Sequence, residues 1–327
     1  MKVVYILVSS ESDYYAEQTL VSMCSLKRYN PSAEVYLLAD NGTLGRLNGS
    51  RAFVKDYADK IVEITLGQKY KSIQKSRFIK TSLPKYVDGD FLYIDNDTVV
   101  TGPLDDLEDY KCDVGAVFNQ HRDDWNNDGV HPQLRQYYEV TGTHPDDDDK
   151  ISHYYNGGVI LVRNTQTAKD FFDLWHNLWI YSSTKLGFHK DQPDMWRANY
   201  QVGNLIKDLP GCYNMQSIYP KRSIIFLNDC RIFHYFSSNM KLLPRLSFKN
   251  EASLQLVRDN GITGEIEQRI TNIRVEYIDN VTFLANINVE IEHEPYFLLC
   301  RKILSWFPFL NSIANVIYKI KKKMRDQ

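Results

Sequence analysis

Two apolar runs near the amino terminus, VVYILV at residues 3–8 and EVYLLAD at 34–40, constrain the fold more than any other feature. Each reads as a fully buried strand, apolar at nearly every position. Between them lies YYAEQTLVSMCSLKRYNP, in which Ala16, Leu20, Met23 and Leu26 fall near helical spacing and Pro31 sits just past the end. Asp40 closes the second strand at its carboxyl end. A strand, a polar loop (SSESD), a helix and a strand in this order form the opening unit of an α/β sheet of the nucleotide-binding kind. The chain has no GxGxxG and no GxxxxGK[ST], so it carries neither the dinucleotide fingerprint nor a P-loop.

Further apolar runs of strand length follow at IVEIT (61–65), FLYI (91–94), VGAVF (114–118), VILV (159–162), SIIFL (223–227) and RIFHYF (231–236). A helix is expected from about Ser76 to Tyr86. A stronger one is expected over TQTAKDFFDLWHNLWIYSS (165–183), capped by Thr165, with Phe171, Trp175 and Leu178 on one face. From Gln120 to His153 the chain is polar, includes DDDDK at 146–150, and reads as a long loop of the sort used for lids and substrate contacts. After about residue 243 the alternation of strands and helices stops, and a mixed charged region runs to about 293.

At 327 residues the chain exceeds one average domain of ~100–200 residues, and one large α/β domain with an appendage is expected. Its net charge of −2 gives no field that would draw the whole molecule to nucleic acid. The five cysteines (Cys24, Cys112, Cys212, Cys230 and Cys300) are scattered and form no CxxC pair, so neither a zinc site nor a disulfide framework is indicated. A reducing, cytoplasmic setting is expected. The apolar run at 3–8 is too short for a signal peptide, and no run reaches the ~18 apolar residues of a membrane span.

The chemistry is concentrated in FLYIDNDTVV, residues 91–100. Residues two apart on an extended chain point to one side, so Asp95 and Asp97 can converge on one cation. Carboxylates at the carboxyl end of a buried strand suit Mn²⁺ or Mg²⁺. The bland alternative is a polar turn after a strand that ends at Ile94. The apolar run that resumes at Thr98-Val99-Val100 argues against an ordinary exposed turn.

FLYIDNDTVVTGPLDDL resembles the metal-binding segment of retaining hexosyltransferases with the GT-A fold, the family of glycogenin and of bacterial lipopolysaccharide galactosyl- and glucosyltransferases. Three further stretches match in the same order: HYYNGGVILVRN (153–164), KDQPDMW (190–196) and RIFHYFSSNMK (231–241). SRFIKTSLPKYV (76–87) resembles the helix that supplies a basic residue before the metal segment, and the resemblance covers about residues 1–241. It departs in three places: Asn-Gly-Gly stands for Asn-Ser-Gly, Ser237 stands for the glycine three residues after His234, and Lys241 lies one position late.

The resemblance implies a Rossmann-like mixed sheet flanked by helices, with a mainly helical C-terminal extension. It implies a catalytic domain over 1–242, an accessory region over 243–293 and a tail over 294–327. His234 becomes the third metal ligand beside Asp95 and Asp97. Asp191 would bind sugar hydroxyls, and Gln192 would lie on the reactive face of the sugar. Donor binding is implied for Ser9, Ser10, Tyr14 or Tyr15, Arg77, Asp95, Asn96, Asn156, Gly157, Gly158 and Lys241, with Asp40 a weaker candidate. The expected partners are a UDP-hexose donor and a glycan or glycolipid acceptor, with a homo-oligomer open. Residues 296–325 read YFLLCRKILSWFPFLNSIANVIYKIKKKMR, a basic amphipathic tail suited to an anionic membrane or to packing on protein. Two other classes use related parts. A nucleotidyltransferase would also want paired acids, but it lacks a counterpart here for its Gly-rich, basic first loop. A non-catalytic glycan-binding scaffold on the same fold would bind UDP without turnover.

Overall fold

The computed structural model describes residues 1–67, 70–123, 131–142, 152–237, 243 and 246–293, the last eleven by backbone alone. Lys241, the DDDDK run and the tail at 296–325 lie outside the described residues. In chain order the elements are β1 (Lys2–Leu7), α1 (Tyr15–Tyr29), β2 (Glu34–Asp40), α2 (Asn41–Arg46), β3 (Lys60–Ile64), α3 (Ser72–Thr81), β4 (Phe91–Ile94), β5 (Thr98–Val100), β6 (Val114–Phe118) and α4 (Pro132–Thr141). Then come β7 (Tyr155–Val162), α5 (Gln166–Lys185), α6 (Gln192–Gln201), β8 (Lys207–Asp208), β9 (Met215–Gln216), α7 (Pro220–Ser223), β10 (Ile232–His234), α8 (Glu251–Asn260) and α9 (Gly264–His293). Residues 1–277 form one compact unit, and a second begins at Ile278. No helix among the described residues is long and apolar enough to cross a membrane.

The main sheet runs β3-β2-β1-β4-β7-β6-β8. β3, β2, β1 and β4 are parallel, and β7 is antiparallel to both β4 and β6. The apolar runs of β1, β2, β4 and the second half of β7 are buried along their length, as cover on both faces requires. Val4, Ile6, Leu38, Tyr93 and Ile160 pack with Ile79, Phe171, Phe172 and Trp175 in one core. Thr165 caps α5 as expected, its hydroxyl accepting the Ala168 N–H at 3.1 Å. A second sheet, β5-β10-β9, continues from the acid turn and pairs His234 with Thr98 on one side and Gln216 on the other.

Three expectations need correction. The helix before β4 begins at Ser72 and ends at Thr81 rather than running from Ser76 to Tyr86. Its start is fixed by Gln74, whose side chain accepts the Lys71 N–H at 2.9 Å. Pro84 cannot continue it, and a separate 3₁₀ turn covers Leu83–Lys85. SIIFL is no strand: it leaves α7 as a 3₁₀ turn, with Ile225 72% exposed. The stretch expected as loop holds α4, which Pro132 and the His131 side chain start and Gly142, at φ 66°, ends. Leu134, Tyr137 and Tyr138 of α4 bury against Tyr154, Phe188 and Trp196, a helix the polar flanks conceal.

Candidate active site

The turn between β4 and β5 gathers the acids. The Asp95 N–H donates to the Gly158 carbonyl at 2.8 Å, extending the β4–β7 ladder by one rung. Thr98 Oγ1 donates to the Asp95 carbonyl at 2.9 Å and closes the turn. Asn96 points away from its neighbours and gives its amide to the Ile6 carbonyl at 2.9 Å, which ties the turn to β1. The Asp97 carbonyl takes the Tyr235 N–H at 3.1 Å, so His234 is drawn alongside. His234 Nε2 lies 3.2 Å from Asp97 Oδ1. One ligand atom from each of Asp95, Asp97 and His234 falls within 4.8 Å of the others.

Hydrogen bonding fixes which imidazole nitrogen is free to act as a ligand. The Gly158 N–H can only donate, and at 2.9 Å it meets Asn156, so that Asn156 atom is Oδ1. The same oxygen is 2.9 Å from an Asn214 side-chain atom, which must be Nδ2. The remaining Asn214 atom, Oδ1, then accepts from His234 Nδ1 at 3.0 Å. The proton of a neutral imidazole therefore sits on Nδ1, and the lone pair of Nε2 faces Asp97. This is how a metal-binding histidine is held by its outer partner. Two carboxylates and such an imidazole fit Mn²⁺ or Mg²⁺.

Burial alone would push the Asp97 carboxyl up. When protonated, His234 supplies a positive charge and an Nε2–H beside it, and with the Ser237 N–H and hydroxyl donors at 2.8 and 3.1 Å these together outweigh burial. The net effect holds Asp97 well below the usual carboxylate range. Ser237 thus grips Asp97. Gly157 and Gly158 lie where β7 bulges away from β6: Val117 pairs with Asn156, and Ala116 with Ile160. A Cβ on Gly158 would come 2.4 Å from His234 Cε1, so only glycine lets the histidine pack here.

The second arm of the site is built on α3 and the start of α6. Arg77 Nε lies 2.7 Å from Asp191 Oδ1, and Lys80 Nζ lies 3.7 Å from Asp191 Oδ2. Lys80 Nζ also reaches Asp95 Oδ1 at 3.2 Å, over the Tyr93 ring. Burial opposes the Asp191 charge, but Arg77 and Lys80 outweigh it and keep its carboxyl low. Asp191 makes no cap bond to α6, so its carboxylate serves these cations. Gln192 Oε1 accepts the Gly157 N–H at 3.4 Å, beside the metal arm.

The loop after β1 is braced internally. Ser9 and Ser10 hydroxyls donate to Asp13 at 2.5 and 2.7 Å. Tyr14 donates to Gln255 at 3.1 Å beneath the Arg258 guanidinium, whereas Tyr15 is 46% exposed. Partial burial raises the Tyr15 hydroxyl, with Asp13 and Asp97 adding to it. Asp40 is fully buried between Lys75 at 2.8 Å and Thr43. Asn156 is 5% exposed, and its amide is engaged within the protein.

No family model matches the sequence, and no curated protein does. Solved structures do. The galactosyltransferase LgtC, in complex with donor and acceptor sugar analogues, is 14% identical over 82% of this chain and 100% of its own, with a TM-score of 0.51. The fold is that of the GT-A glycosyltransferases. Mouse xyloside xylosyltransferase 1 is 10% identical over 72% of this chain and 98% of its own, at TM-score 0.48. GlyE of Streptococcus pneumoniae TIGR4 is 19% identical over 73% of this chain at TM-score 0.44, and this chain spans only 55% of its length.

Within the GT-A fold, sequence reasoning missed four side chains. Lys80 was not singled out, and it is 4% exposed. Lys249 is 2% exposed; burial pushes it down to about 8, and Asp97 opposes that shift. Asn214 had no motif at all. Asp194, also in KDQPDMW, is fully buried and accepts from Ser182 at 2.6 Å. Burial raises its carboxyl to about 7. An acid whose folded pKa is raised costs stability as pH climbs from its unfolded value toward the folded one. Across that window the cost grows to about 4 kcal/mol. Asp194→Asn should therefore gain more melting temperature over the native chain at pH 8 than at pH 5. An equal gain at both would show that Asp194 stays ionised.

Proposed function

We propose that the chain is a metal-dependent retaining hexosyltransferase, moving glucose or galactose from a UDP-hexose to a sugar hydroxyl of a glycan or glycolipid. The observation that carries this is the Asp95-Asp97-His234 cluster with its imidazole lone pair turned inward, joined to Asp191 through the Lys80 ammonium. When bound there, a divalent cation supplies Lewis-acid help to the departing diphosphate.

The chain's own residues do the rest. Arg77 and Lys80 keep Asp191 ionised and aimed, so that it can accept hydrogen bonds from donor-sugar hydroxyls. The Gly157-Gly158 bulge lets the sugar approach the backbone. Both Asp191 oxygens face cations, which makes the carboxylate a poor nucleophile. That supports front-side attack, in which the acceptor oxygen forms the new bond, the anomeric carbon–phosphate bond breaks on the same face, and the acceptor proton passes to the departing phosphate oxygen. Gln192 would lie beside the oxocarbenium-like centre.

The test is UDP release from a panel of UDP-sugars in Mn²⁺ and in EDTA, with Asp97→Ala alongside. One UDP-hexose should be hydrolysed slowly, and both EDTA and the substitution should stop it. Release indifferent to both would end the metal reading. UDP binding with no turnover of any donor or acceptor would favour a scaffold.

A further inference from the structure

We infer that Arg258 of α8 is a positioning residue for the loop Ser9–Tyr15, holding it in the shape that receives the nucleotide. The inference rests on the transferase reading for the loop's role, but the contacts stand by themselves. α8 lies beyond residue 241, outside the stretch that carries the family motifs.

One guanidinium holds four points of the loop and the helix behind it. Arg258 Nε donates to Glu17 Oε1 at 2.7 Å and Nη2 to Glu17 Oε2 at 3.1 Å. Nη1 donates to the Glu11 carbonyl at 3.2 Å, and Nη2 also donates to the Asp13 carbonyl. The guanidinium carbon sits 4.3 Å from the centre of the Tyr14 ring, whose hydroxyl reaches Gln255 on the same helix. Glu17 is 2% exposed and is shared with Arg51, whose Nε lies 2.8 Å from Oε1. Arg51 in turn donates to Ser9 Oγ at 2.8 Å and to the Ser10 carbonyl at 2.9 Å. Glu11 and Ser12 are exposed and contribute no apolar anchor. Beside the loop's own bonds to Asp13, its far side is held by two arginines meeting on one buried glutamate. A loop fixed before binding loses less entropy on binding, so its loss weakens nucleotide affinity more than the chemical step.

The test compares Arg258→Lys with the native full chain in Mn²⁺, with Arg258→Ala as the harsher variant. Lysine keeps a charge for Glu17 and so protects folding. It cannot at once fork to the carboxylate, reach two carbonyls and stack on Tyr14. In Arg258→Lys the Kd for UDP and the KM for the UDP-hexose should rise about tenfold. In the same variant kcat should stay within about threefold. Hydrogen exchange of residues 9–15 should quicken. Unchanged exchange and unchanged UDP affinity would overturn the assignment, as would a fall in kcat at constant KM. A native chain that binds no UDP would sink the transferase reading. The clamp itself would then still be judged by the exchange rates.

Discussion

Gly158→Ala is expected to lower Mn²⁺ affinity by about 10–100-fold, the range seen when a metal ligand's supporting contact is disturbed. The added methyl would lie 2.4 Å from His234 Cε1, 2.7 Å from Nδ1 and 2.9 Å from Asn156 Oδ1. None of these can step aside cheaply. His234 is 3% exposed and stacks on Phe236 at 3.9 Å between ring centres, and Asn156 is held by Asn214. Moving the Gly158 backbone instead would drag Asp95, whose N–H is bonded to the Gly158 carbonyl at 2.8 Å. Either route separates the imidazole from the carboxylates. The overpacking itself should cost about 1–3 kcal/mol of stability. Gly157→Ala is the control for the fold, because its methyl would stand 3.4 Å from Lys80 Nζ, an ordinary contact. Calorimetric Mn²⁺ titration of the two variants decides. Native affinity in Gly158→Ala would mean that His234 is not a ligand.

That close approach was only half legible in the sequence. NGG before VILV announced a place where backbone must come near something, and the motif order suggested a sugar. The glycine that packs on the histidine is visible only once β10 has been laid beside β5, an event set by residues more than a hundred positions apart. The central strands were readable because burial on both faces makes them apolar throughout, a local signal. Asp95, Asp97, His234, Asp191 and Gln192 were singled out through their motifs, and the structure sets them near one another. α4 was not, because its three buried residues are spaced among polar ones and flanked by polar, acidic sequence. Asn214 and Arg258 were not, because an amide or a guanidinium acquires its role from the partner it meets. Lys80 is the sharpest case. The sequence pointed to Arg77 on this helix and not to Lys80, yet the two, one turn apart, point together at one carboxylate.

Lys80→Met should be the most destabilising single change in the site. The ammonium is 4% exposed and serves Asp95 at 3.2 Å and Asp191 at 3.7 Å. Methionine fills similar space, so little of the loss would come from a cavity. What remains is charge: removing one member of a fully buried ionic group costs about 3–5 kcal/mol, and the loss here should approach the lower end, because Asp191 stays buried and ionised while the Asp95 side chain is 28% exposed. Arg77 would still pair with Asp191, and Asp95 would keep only the Tyr93 hydroxyl. The pH dependence follows from Asp191, whose folded pKa is lowered by Arg77 and Lys80 against its burial. A lowered acid contributes stability above its unfolded pKa and loses it as pH falls through the folded one. Without Lys80 that contribution shrinks. The deficit of the variant should therefore be full at pH 7 and close as pH falls below about 4, where Asp191 is protonated in the unfolded chain. Denaturant unfolding at the two pH values measures it. A deficit independent of pH would assign the loss to packing, and a variant as stable as the native chain at pH 7 would mean the lysine is not the counter-charge that joins the metal arm to the sugar arm.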